Sequence, residues 1–107
     1  MRSTVLEVLR RGRARIAAGW CQGAFRRVAP DGREHFCAEG ALREYHVGVE
    51  HSQTNLKSEV YLNAALRTIA PRFACMVWND RATTTQADVL TLYDRAIELA
   101  EAAERLQ

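Results

Sequence analysis

The segment from Thr85 to the C-terminus fixes the kind of packing open to this chain. Thr85-Gln86-Ala87-Asp88 reads as a capping box: the threonine hydroxyl accepts the Asp88 amide and the aspartate reaches back. Val89, Tyr93, Ala96, Ala100 and Ala103 then recur along one helical face, widened by Leu90, Ile97 and Leu99. Asp94, Glu98, Glu101 and Glu104 mark the wet side. Small alanines on the buried stripe let a second helix approach closely. Aromatics make up only 7% of the 107 residues. Aliphatic side chains must therefore fill the core, which favours helix-on-helix packing over a β-sandwich.

Three further helices are predicted. The first spans about 4–18, opened by Thr4-Val5-Leu6-Glu7, a second capping pattern. Val5, Leu9, Gly12 and Ile16 share its apolar face with Val8 beside them, and Gly19 is its stop. Gly12 costs about 1 kcal/mol against alanine inside a helix, so it marks close approach of another element. A second helix near 38–47 carries Ala38, Ala41, Leu42 and Tyr45 and ends at Gly48, before a polar loop at 49–55. A third runs from Asn55, read as its N-cap, to Ala70, with Leu62, Ala65, Leu66 and Ile69 buried and Pro71 as its stop. Phe73 to Trp78 reads as a buried connection or short strand.

Between the first two helices, Trp20 to Val28 lacks a helical stripe, and Pro30-Asp31-Gly32 is a strong turn signal. A hairpin is predicted, with strands near 20–28 and 33–37. A lone hairpin is marginal in water, so it must lie on the helices. The expected architecture is α-rich (α+β): about four helices packed around a short β-hairpin, in one domain spanning 1–107.

The net charge of +2 hides an asymmetry. Residues 1–33 carry eight arginines against Glu7 and Asp31, a net of +6; the remainder is net −4. The favoured reading is attraction between the two halves within the fold. No apolar run suits a membrane span or a signal peptide, so a cytoplasmic protein is expected. Cys21, Cys37 and Cys75 are then expected as free thiols.

Three clusters place costly residue types close together: Trp20-Cys21-Gln22-Gly23-Ala24, Cys37-Ala38-Glu39-Gly40-Ala41-Leu42 and Trp78-Asn79-Asp80. In their order the chain resembles a family of short bacterial and phage proteins known only as a domain of unknown function. That family shows Trp-x-x-Gly-Ala, then Cys-Ala-x-Gly-Ala-Leu, then Trp-Asn-Asp before a C-terminal helix. The resemblance covers most of the chain and brings no activity with it.

Cys37 stands where a turn enters a predicted helix, a position that favours a thiolate. His35 shares its face on an extended segment, and Asp80 is a candidate to orient the histidine. This sketches a nucleophile, base and orienter. The plainer reading of Cys37 is a small buried residue at a tight junction. Asn79 and Asp80 likewise read first as turn-closing residues, and Trp78 as a core anchor. Their functional reading is a polar pair at the mouth of a pocket walled by Trp20 and Trp78. No metal site is expected: there is no Cys-x-x-Cys pair, and His46 and His51 are off one helical face. No cofactor fingerprint is present.

The leading expectation is a small non-enzymatic binding or interaction module. It contacts a protein partner or small ligand through Trp20, Trp78, Asn79, Asp80, Arg26 and Arg27. The phage occurrence of the resembled family implies an accessory or counter-defence inhibitor as one form. The alternatives are a cysteine-dependent enzyme using Cys37, His35 and Asp80, and a nucleic-acid binder using the arginines of the first helix and hairpin. No membrane partner is expected.

Overall fold

The structure, a computed structural model, describes residues 4–43 and 53–106. Helix α1 (Val5–Ala18) is followed by strands β1 (Arg26–Val28) and β2 (Glu34–Phe36) and a single 3-10 turn, Gly40–Leu42. Helices α2 (Gln53–Ile69), α3 (Cys75–Asn79) and α4 (Gln86–Arg105) complete the order. The chain is α-rich, with a two-strand antiparallel hairpin beside the helices, as its patterning predicts.

The longest helix forms where the clearest pattern lies. Thr85 and Asp88 close the reciprocal capping box at 3.2 and 2.9 Å. Val89, Leu92, Tyr93, Ala96 and Ala100 of α4 are buried against α1 and α2, so the three long helices pack mutually. The Thr4 hydroxyl accepts the Glu7 amide at the start of α1 (3.1 Å). The close approach expected at Gly12 is made by Tyr93: a Cβ there would lie 2.6 Å from Cε1 of that ring. Gly19 ends α1 in extended backbone rather than in a left-handed cap. Its lack of a side chain serves β2 instead, since a Cβ would stand 2.5 Å from the Glu34 carbonyl oxygen.

Three local expectations are corrected. Residues 40–42 form a 3-10 turn rather than the start of a regular helix, and Arg43 is already extended. Ala38, Ala41 and Leu42 are all buried, but a spacing of three suits one tight turn as well as a helix. Tyr45 and Gly48 lie outside the described residues. Asn55 sits inside α2 and is buried, not at its cap, and Ile69 faces outward while Leu62, Ala65 and Leu66 fill the core. The segment predicted as a connection or strand holds the one-turn helix α3. Cys75, Trp78 and Asn79 point inward at helical spacing, and Phe73, Met76 and Val77 are exposed. A single turn is too short to display a period in sequence.

The hairpin is shorter than predicted. β1 and β2 pair Arg26 with Phe36, Arg27 with His35 and Val28 with Glu34. Gly32, at φ +85°, turns the chain between them. Trp20 joins only through an isolated parallel bridge to Phe36.

The charge asymmetry is met in part within the fold. Arg13 of α1 pairs with Asp94 of α4 at 2.5 Å, and Arg10 stands 3.7 Å from Glu101. Arg15 turns inward to donate to the carbonyls of Ala41 and Arg43 (3.0 and 2.8 Å), and Arg11 donates to that of Leu42 (3.5 Å). Half of the basic face thus donates to carbonyls at the end of the 3-10 turn. No described helix is long and apolar enough to cross a membrane.

Candidate functional site

The three motif segments meet at one buried side chain, Asn79. Helix α3 is anchored by the packed ring of Trp78, which directs the next residue toward the 20–25 segment and the end of β2. Asn79 Oδ1 accepts the indole N–H of Trp20 (2.8 Å) and the amide of Ala38 (2.9 Å). Its Nδ2 donates to the Cys21 carbonyl (3.1 Å) and to Asp80 Oδ1 (2.9 Å). An uncharged amide is the side chain that can accept twice and donate twice in one buried place. Gln22 adds a clasp, donating from Nε2 to the carbonyls of Asn79 and Arg81 (3.0 and 2.9 Å).

Asp80 is exposed and accepts the amide of Gly23 (3.0 Å). It therefore ties distant segments, whereas an Asx turn onto the residues just after it was the expectation. The hydroxyl of Thr84 does the local work there, donating to the Trp78 carbonyl at 2.6 Å. The phenol of Tyr93 donates to the Ala38 carbonyl at 2.6 Å, so α4 also grips the second motif. Sequence reasoning gave no role to Gln22, Thr84 or the Tyr93 hydroxyl. A lone phenol on a stripe of alanine and leucine was the available signal for the last.

Cys37 is buried beneath Gly40, whose amide donates to its sulfur at 3.2 Å. Burial pushes the thiol upward, only partly offset by the Gly40 and Glu39 amides. Gly40 has no room for a side chain, because a Cβ would overlap the Phe25 carbonyl. His35 Nδ1 lies 3.4 Å from the Trp20 carbonyl oxygen. Among the described residues, no hydrogen bond links Cys37 to His35 or His35 to Asp80, so these three stand as separate features. Burial also raises Cys75, to about 12, and Cys21, where Arg27 opposes the shift and Asp80 adds to it.

Trp78 is buried in the core and lines neither of the two hollows described below. Trp20 is half-buried and does face one. An open cleft of about 620 Å³ lies between the 20–22 segment and the hairpin, lined by Trp20, Gln22, Arg27, Val28, Pro30 and His35. Arg26, its neighbour on β1, pairs with Glu34 at 2.6 Å and does not line it. A second hollow of about 410 Å³ opens among Val5, Leu6, Val60, Tyr61 and Ala100, and it contains no motif residue. Among the described residues, no three His, Cys, Asp or Glu side chains are placed to share a metal ion. His46 and His51 lie outside them.

The fold and this junction define a small α-rich domain whose three motif segments are tied by one asparagine. The chain belongs to the family of unknown function DUF6197, whose model matches residues 1–99. No curated protein and no solved structure matches it.

Proposed function

We propose that this chain is a small non-enzymatic binding module. Its contact surface is the cleft between the 20–22 segment and the hairpin, and its partner is a small ligand or a segment of another protein. The observation that carries this reading is a division of labour. Of the three residues with catalytic character, the candidate nucleophile and orienter are buried or engaged: Cys37 lies under Gly40, and Asp80 serves Gly23 and Asn79, so among the described residues neither is hydrogen-bonded to His35. Trp20, Arg27 and His35 instead line open space. Concave sites with an aromatic wall and a few placed polar groups are where ligands bind. An accessory or counter-defence role of phage type is one form of such a module, and it rests on the motif resemblance alone.

The test is a ligand screen read by amide and indole NMR shifts. Binding shifts should cluster at Trp20, Gln22, Arg27, Ala29 and His35. Rapid native-state alkylation of Cys37 below pH 7, abolishing a turnover, overturns the reading in favour of a thiol enzyme.

A further inference from the structure

We infer that the cleft recognises a planar ring bearing an anionic group. This rests on the cleft being the module's binding surface, and it specifies what binds there. Arg27 and His35 are register partners across the hairpin, so their side chains leave the sheet on one face. Both line the cleft, and among the described residues no carboxylate does. The nearest acids are committed elsewhere: Glu34 pairs with Arg26, Asp31 Oδ1 accepts the Arg33 amide, and Asp80 holds Gly23 and Asn79. Among the described residues, Arg27 has no ion pair. It donates from Nη2 to the Gln22 carbonyl (3.1 Å), and its remaining N–H groups are available to an acceptor. The cleft thus offers donors on a positive background, which suits a carboxylate or phosphate.

The opposite wall carries an aromatic ring. The indole of Trp20 has its N–H turned away to Asn79, so it presents ring rather than donor, and Val28 and Pro30 add apolar surface on the hairpin side. An anion without a ring would leave this wall wet; a ring without charge would leave Arg27 unanswered. All three recognition groups are already held by contacts that no ligand needs to supply. Asn79 fixes Trp20, the Gln22 carbonyl fixes Arg27, and the His35 ring rests over Gly19, where a Cβ would stand 3.1 Å from Nδ1. Such preorganisation lowers the entropic cost of binding.

Two ligand sources share this chemistry, a nucleoside 5′-monophosphate and an aromatic carboxylate. Adenosine monophosphate and indole-3-acetate are titrated against the full chain, beside adenosine, indole and inorganic phosphate. The shifts of Trp20, Arg27 and His35 are followed by NMR. One ring-bearing anion should bind at least about tenfold tighter than its neutral counterpart and than phosphate; which of the two does so identifies the source. Arg27→Gln should lose about tenfold of that affinity with an unchanged melting temperature. Arg95→Gln, a charge control on the exposed face of α4, should lose none. If neutral rings bind as tightly, or Arg27→Gln binds like the parent, the charge requirement is wrong while the cleft stands as the site. If no probe of either charge moves the cleft resonances at millimolar concentration, both the ligand class and the cleft as binding surface are overturned.

Discussion

Asn79 Oδ1 accepts from the Trp20 indole at 2.8 Å, across a separation of 59 residues. The same oxygen holds the Ala38 amide, and the nitrogen of that side chain holds the Cys21 carbonyl. Asn79→Ala strands these buried groups, each at about 1–3 kcal/mol, partly relieved by water. The expected loss is about 3–5 kcal/mol in urea melts. Asn79→Asp keeps the acceptor but sets a carboxylate against the Cys21 carbonyl and Asp80. It should therefore be destabilised more at neutral pH than at pH 4. Asp80→Ala, at an exposed position, should cost only about 1 kcal/mol. A loss for Asn79→Ala no larger than that for Asp80→Ala would remove the hub role.

Glycines separate two kinds of constraint. Gly40→Ala drives a Cβ into the Phe25 carbonyl, a backbone atom that also accepts the Cys37 amide, so the hairpin base must move. About 3 kcal/mol or more is expected. Gly12→Ala gains about 1 kcal/mol of helix propensity but meets the buried Tyr93 ring, for a net loss of about 1–2 kcal/mol. Gly32→Ala has open space but keeps φ at +85°, and should lose about 1 kcal/mol through backbone strain alone. Chemical denaturation of the three variants should give that order.

These residues also show what the sequence could disclose. The Thr85–Asp88 box, the alanine stripe of α4 and the Pro-Asp-Gly turn act over a few residues, so their partners are adjacent in the text. Asn79 carries a local alternative, the turn-closing role, that conceals partners 41 to 59 residues away. The same holds for α1. Arg13 and Arg15 look alike on a charged face, yet one meets Asp94 and the other caps the 3-10 turn. Only packing decides between them. The three motif segments do converge in space, while the cleft depends on register: Arg27 faces His35 because β1 and β2 pair at that offset.

The engaged arginines bear on nucleic acid. With Arg13 on Asp94, and with N–H groups of Arg11 and Arg15 on backbone carbonyls, α1 has fewer donors left for a phosphate backbone than its sequence suggests. Binding to duplex or single-stranded DNA should be weak and lost near physiological salt, with a shallow slope against log salt. Fluorescence anisotropy across a salt series checks this. Salt-resistant, sequence-selective binding would contradict it.

Alkaline stability follows from the buried thiols and phenol. In the unfolded chain a thiol ionises near 9.0 and tyrosine near 10.0. Folding pushes Cys75 up to about 12 and raises Cys37 and Cys21, in each case chiefly by burial. Complete burial raises Tyr93 well above its ordinary value. A raised folded value means that the native state keeps protons the unfolded chain releases. The stabilisation is therefore fully present below about pH 9 and is lost as pH climbs toward the folded values. Each group removes about 1.4 kcal/mol per pH unit once its unfolded form is ionised. Melts should be flat from these groups between pH 6 and 8 and fall steeply from pH 9 to 11. Cys75→Ala leaves a small cavity, so its melt starts lower, yet it should flatten the fall over that interval. Tyr93→Phe lacks the hydrogen bond to Ala38 and should flatten it above pH 10. In parallel, iodoacetamide should label native Cys37 and Cys75 at pH 7.5 far more slowly than the urea-unfolded thiols. Equal labelling rates in the two states would show that the thiols are not sequestered, and the alkaline fall would then need another origin.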